Sequence, residues 1–287
     1  MKSETLELMK AEIKKHLTSQ DPVASVLVLH GYAEHQGRYT HVIDALREAG
    51  FDVYTYDQYG HGTAPGPRAK VDVGGLIKDH VEARKQVAAM MRTSDLFLFG
   101  HSMGGLVTAA SNLVDPSNVR GVVLSGPAFD ATGGMDPEIV RKVAKATLLM
   151  PGGTPTTALN PEDLASDPKV VEDYKTDPLN YHGKVPAKTA GTLMVQGLET
   201  MKRASRWQNP LIIFHGSDDV ACNPAASWHF AQEAGTGGAS VEMIEVPGAK
   251  HEVFNEPTVS AMLLETMVMW MNSQIRRHEM GNPNLYG

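Results

Sequence analysis

The stretch "LFLFGHSMGG", Leu96 to Gly105, holds a serine between two glycines, Gly100 and Gly104, after an apolar run and before a helix-forming segment. That pattern, G-x-S-x-G at a strand-to-helix turn, projects a serine hydroxyl for nucleophilic attack on a carbonyl, the glycines removing side chains where strand and helix crowd. The pattern alone is weak. A serine is a poor nucleophile near neutral pH, so the chemistry demands a base and an acid that orients it. In chain order after the serine stand Asp218 and Asp219 in "IIFHGSDD", and His251 in "VPGAKHEVF". Of the two aspartates Asp219 is the better placed, three residues beyond Gly216 and turned toward the histidine loop, while Asp218 suits a solvated turn. An oxyanion needs two donors: the Met103 N–H at the start of the helix, and the Tyr32 N–H in "LHGYAEH". His30 and Gly31 shape that loop; His30 and His35 as metal ligands have no third ligand at metal-site spacing.

These residues must be held by a scaffold. Short apolar runs, "SVLVLHG" (25–31), "FDVYTYD" (51–57), "LFLFGHS" (96–102), "VRGVVLSGP" (119–127), "PLIIFHGSDD" (210–219) and "SVEMIEVPG" (240–248), read as strands buried on both faces. Helix-length segments at 39–50, with Gly50 as C-cap, and at 78–93 alternate with them, which predicts a mostly parallel sheet with crossover helices. The alternation breaks between Phe129 and Trp207, where helical segments separated by Pro and Gly read as an inserted cap. The division expected is a core of residues 1–128 and 209–287 with a helical cap at 129–208. Leu6, Met9, Ile13 and Leu17 fit a helical face, yet "TLELM" fits an edge strand equally; a last helix is expected from about Thr258 to Arg277.

The 287 residues carry a net charge of −7 with both signs interspersed, so no basic stripe serves nucleic acid. One cysteine, Cys222, excludes an internal disulfide framework and a Cys-rich metal site. With no signal-peptide pattern and no apolar run of membrane-spanning length, a soluble, cytoplasmic protein is expected, able to visit a membrane surface.

Taken together, "HGYAEHQGRY", "FGHSMGG", "DPLNYHGKVP", "HGSDD" and "HEVFNEP" resemble the monoacylglycerol lipase family of α/β-hydrolases, bacterial type, from about Val23 to Trp270. The resemblance implies hydrolysis of monoacylglycerols to glycerol and fatty acid without cofactor. It implies Ser102 as nucleophile, Asp219 as acid, His251 as base, and Tyr32 and Met103 as oxyanion donors. It sets Glu34, Arg38 and the cap's Tyr174 near the glycerol end; a loop-fixing Glu34–Arg38 salt bridge is the alternative. In the cap, Leu148, Leu149 and Met150 could line an acyl groove, rest on lipid, or only pack cap on core. Three departures stand out: Tyr59 where relatives carry arginine, a short N-terminal part, and Phe254 where some animal relatives have a second histidine. Cys222 falls where some relatives hold a thiol near the site, and reads otherwise as a small buried hydrophobe. Lysophospholipase or general carboxylesterase activity fits the same triad. A peptidase would need an acidic pocket, dehalogenases and epoxide hydrolases carry Asp where Ser102 stands, and a non-catalytic binding protein would be expected to lack a triad member.

Overall fold

The computed structural model describes residues 11–130, 132, 135–149 and 157–281. Its centre is a sheet of β1 (Lys14–His16), β2 (Ala24–Leu29), β3 (Phe51–Thr55), β4 (Leu96–His101), β5 (Gly121–Ser125), β6 (Leu211–Gly216) and β7 (Val241–Val246). The spatial order is β1-β3-β2-β4-β5-β6-β7, parallel throughout except that β1 lies antiparallel to β3. This is the mostly parallel α/β sheet expected from the sequence. Of the two readings of the N-terminal segment, Ile13 and Leu17 flank β1 at the sheet edge, while Leu6 and Met9 lie outside the described residues.

The central strands are apolar continuously because both faces are covered. Leu27, Leu29, Leu98, Val122, Leu124 and Ile213 face one core, with α2 (Val73–Met90), α3 (Ser102–Val114) and α7 (Pro224–Thr236). Their neighbours Val26, Val28, Phe97, Phe99, Val123, Ile212 and Phe214 face the other, under α1 (Thr40–Glu48) and α8 (Ser260–Gly281). Alternate side chains pointing to opposite layers leave no solvent face on which a polar residue would be favoured. The first helix ends as expected: Gly50 takes φ +89°, a left-handed conformation, and its N–H donates to the Arg47 carbonyl at 3.1 Å.

Between β5 and β6 run α4 (Pro137–Leu149), α5 (Pro168–Thr176) and α6 (Ala187–Met201), the last packed on α2 and α3. Thr189 fixes α6: its hydroxyl accepts from the Val71 N–H at 2.9 Å and donates to the Ala69 carbonyl at 2.8 Å, fully buried. After β2 the chain builds β3 on one side, then returns to place β4 on the other. The crevice at the carboxyl ends of these strands is where such sheets bind ligands, and the loops after β2, β4, β6 and β7 meet there.

Candidate active site

Ser102 follows directly on β4 and opens α3 with φ +54°, a left-handed conformation that costs a non-glycine residue of order 1 kcal/mol or more. The sequence permits the turn because its flanks lack side chains. A Cβ on Gly100 would lie 2.6 Å from the Gly104 carbonyl oxygen, and one on Gly104 would strike the His30 carbonyl oxygen. Met103 follows at the helix N-terminus, where backbone N–H groups have no partner inside the helix.

The loop after β2 abuts the serine: a Cβ on Gly31 would lie 3.0 Å from that of Ser102. Several bonds hold this loop. The Gln58 N–H donates to His30 Nε2 at 3.0 Å, so His30 Nδ1 carries the proton and donates to the Gly31 carbonyl at 2.8 Å. The Gly31 N–H donates to Glu34 Oε1 at 2.5 Å. Ala33, at φ +64°, offers its carbonyl to the Tyr181 N–H at 2.9 Å and the Tyr174 hydroxyl at 3.3 Å, both from the segment between β5 and β6. Tyr59, the departure from the family pattern, lies against Gly66, while Asp57 anchors this turn by accepting from the Gln36 and Thr63 N–H groups.

Asp219 and His251 meet: His251 Nδ1 lies 2.7 Å from Asp219 Oδ2. Oδ1 accepts the N–H groups of Ala221 and Cys222 at 2.8 and 2.9 Å, and His215 Nε2 lies 3.0 Å from Oδ2. Burial alone would raise the Asp219 pKa; His251, His215 and the Cys222 N–H outweigh it and hold the carboxyl far below the usual carboxylate range. Burial alone would likewise lower the His251 pKa, but the Asp219 charge raises it above the ordinary histidine value. Asp218 instead accepts from the exposed Ser217 hydroxyl. Cys222 is buried, its thiol pushed up in pKa chiefly by burial, with the Ser102 side chain against it. Ser102, Cys222, Asp219 and His251 therefore form one cluster.

Glu34 and Arg38 pair at 2.6 Å, and Arg38 also grips both oxygens of Glu252, at 2.6 and 2.9 Å. Glu34 Oε1 takes the Tyr39 hydroxyl as well, at 2.6 Å. The Arg38 guanidinium lies 4.9 Å from the centre of the Tyr174 ring, completing the contact among these three residues. Phe254 packs among Phe99 and Phe214. The side chains of Leu148 and Leu149, and all of Met150, lie outside the described residues.

Sequence reasoning assigned no role to His215 or Glu252, although both stand in quoted motifs, four residues before Asp219 and one after His251. It also passed over His101, whose ring lies 4.7 Å from that of His251 and whose Nδ1 lies 3.1 Å from Ser125 Oγ. Burial and the nearby His251 bring the His101 pKa down to about 4, so it is neutral at pH 7.

Residues 20–258 match the family model described as serine aminopeptidase, S33. A monoacylglycerol lipase of Mycolicibacterium smegmatis is 35% identical over 256 residues, covering 89% of this chain and 90% of that protein. A monoglyceride lipase of Rattus norvegicus is 28% identical over 265 residues, covering 90% and 85%. The crystal structure of a monoacylglycerol lipase from Paleococcus ferrophilus superposes with a TM-score of 0.81 at 28% identity, covering 93% of this chain and all of that one.

Proposed function

The chain belongs to the serine aminopeptidase S33 family of hydrolases, and from that premise we propose that it cleaves monoacylglycerols to glycerol and fatty acid through an acyl-enzyme on Ser102. The observation that carries the chemistry is the buried Asp219–His251 bond in one cluster with a serine strained into the left-handed region. The substrate class rests on the relatives named monoacylglycerol lipase. An aminopeptidase would need a free carboxylate for the substrate ammonium. Glu34 is a poor one, because both its oxygens already hold protein donors.

In this reading His251 takes the proton of Ser102 as Oγ attacks the ester carbonyl, and the N–H groups of Tyr32 and Met103 receive the oxyanion. Asp219 stabilises the imidazolium, which then protonates the departing glycerol oxygen. Water releases the fatty acid by the same steps. Glu34, Arg38 and Tyr174 shape the glycerol end by fixing the loop that carries Tyr32. Residues 129–208 act as the cap. Ile139 and Val143, one turn apart on α4 and 51% and 37% exposed, follow Met135, 41% exposed, and stand among Asp136, Glu138, Lys142 and Lys145. An exposed apolar stripe with charged neighbours suits contact with a membrane surface. Ile139→Glu with Val143→Glu should abolish co-sedimentation with phospholipid vesicles while leaving hydrolysis of a short soluble ester intact.

The deciding experiment compares wild-type and Ser102→Ala protein on monoacylglycerol, lysophospholipid, short p-nitrophenyl esters and an aminoacyl anilide, with fluorophosphonate labelling in parallel. The expected result is monoacylglycerol as the best substrate, and a loss of roughly 10⁴- to 10⁶-fold in kcat, with all labelling, on Ser102→Ala. A folded Ser102→Ala protein that keeps its activity would sink the assignment.

A further inference from the structure

Asp219 has a second histidine. His215, the fifth residue of β6, is fully buried, and its Nε2 lies 3.0 Å from Asp219 Oδ2 and 3.0 Å from the Cys222 carbonyl oxygen. Neither atom can donate, because a carbonyl has no proton and the Asp219 carboxyl is held ionised, so the proton resides on His215 Nε2. On the other side of the ring, Nδ1 lies 2.8 Å from the hydroxyl of Ser227, itself fully buried on α7. The Ser227 hydroxyl, able both to donate and to accept, holds the ring at Nδ1.

We infer that His215 and Ser227 form a buried positioning pair that holds the Asp219 carboxylate against His251. The inference rests on the triad reading above. The geometry gives it content. Asp219 follows β6 in a turn, and a carboxylate there is free to rotate about two side-chain bonds. Ala221 and Cys222 pin Oδ1 by their N–H groups, which leaves Oδ2 to be aimed. His215 aims it, reaching from the rigid strand across the turn. Its own ring is held by Ser227, which comes from a different element. The Nε2–H of His215 thus meets the carboxylate from a fixed direction, on the oxygen that faces His251.

The test measures kcat, KM and the pH profile of kcat/KM for wild type, His215→Leu, His215→Gln and Ser227→Ala, with thermal melts of each. Glutamine carries its amide nitrogen the same number of bonds from the backbone as histidine carries Nε2, so it restores the donor. The other charged and titratable groups facing His251 and Asp219, namely Glu34, Glu252, His101 and Cys222, are the same in all four proteins. His215→Leu should lower kcat roughly 10- to 100-fold with KM little changed, as a misdirected acid would. The acidic limb of kcat/KM should move to lower pH, because His251 loses part of the charge that keeps it basic. His215→Gln should recover most of both effects, and Ser227→Ala should show a smaller loss in the same direction. A folded His215→Leu with wild-type kcat and acidic limb overturns the inference, as does a glutamine variant no better than leucine. If His215→Leu does not fold, unchanged limbs in both His215→Gln and Ser227→Ala overturn it equally. Wild-type protein without Ser102-dependent hydrolysis would instead strike the triad reading, whereas active wild type with silent variants strikes only the positioning pair.

Discussion

Residue types in order along the chain made the proposed triad legible as a candidate, because a serine in a glycine-flanked turn, an aspartate after a later strand and a histidine after the last have few joint purposes. The groups that hold them were not, since their roles depend on partners far away in sequence. Glu252 is bound by Arg38, 214 positions earlier, and no local pattern announces that pairing. Arg38 lies between two buried carboxylates, so removing it leaves like charges facing each other out of water. Arg38→Met should therefore cost about 3–5 kcal/mol at neutral pH. The sign with pH follows: without the cation, Glu34 and Glu252 rise from their depressed pKa values and one takes up a proton as the solution is acidified. Urea unfolding should show a larger deficit at pH 8 than at pH 5.5. An equal deficit at both would mean that the guanidinium matters for its packing rather than its charge.

Elements were read most securely where one physical demand dominated. Continuous apolar runs read as strands covered on both faces, and all six expected strands are found, with ends trimmed by a few residues where turns begin, but β7 lies at the sheet edge and buries only Val246 fully, because no further strand covers that side. The edge-strand reading of "TLELM" falls outside the described residues, while the helical reading fails at Ile13 and Leu17, which flank β1; the three residues of β1 at the sheet margin, exposed or half-buried, impose almost no periodicity. The strand-to-helix junction at Ser102 is the sharpest demand of all, since it is set by backbone contact. Gly104→Ala would push a methyl into the carbonyls of Leu29 and His30, atoms of a central strand and the loop after it that have nowhere to move. It should cost more than the roughly 1–3 kcal/mol typical of overpacking and remove fluorophosphonate labelling. Gly75→Ala, in the first turn of α2 and 3.8 Å from the nearest heavy atom, is the contrast. It should be neutral or stabilise by up to about 1 kcal/mol, by reducing the freedom of the unfolded chain. Thermal melts of the two variants check both signs at once.

At the scale of the whole molecule the sequence revealed charge but not burial, and burial governs how stability follows pH. Twelve histidines look alike in composition, yet His61 and His80 are buried with pKa values near 3 and His101 near 4, each lowered first by desolvation. Below the ordinary histidine value the unfolded chain binds protons at these positions and the folded chain does not. Stability is therefore lost as pH falls, each such histidine contributing about 1.4 kcal/mol per pH unit once the unfolded residue is protonated. His251 works in the opposite sense: its pKa is raised, so its contribution is present at low pH and fades as pH rises through the folded value. His16, His30 and His41 are lowered as well, so six against one makes acid destabilisation win. His80 gives a clean probe, because it lies on α2, outside the candidate site, and its one hydrogen-bond partner among the described residues is the Tyr56 hydroxyl, 3.1 Å from Nδ1. His80→Leu combined with Tyr56→Phe removes both partners together, leaving no orphaned hydroxyl. Urea unfolding between pH 6 and 4.5 should then show a stability curve shallower by about 1.4 kcal/mol per pH unit than wild type, with activity at pH 7 retained. A parallel curve would place the acid sensitivity elsewhere, in the carboxylates that Arg38 holds.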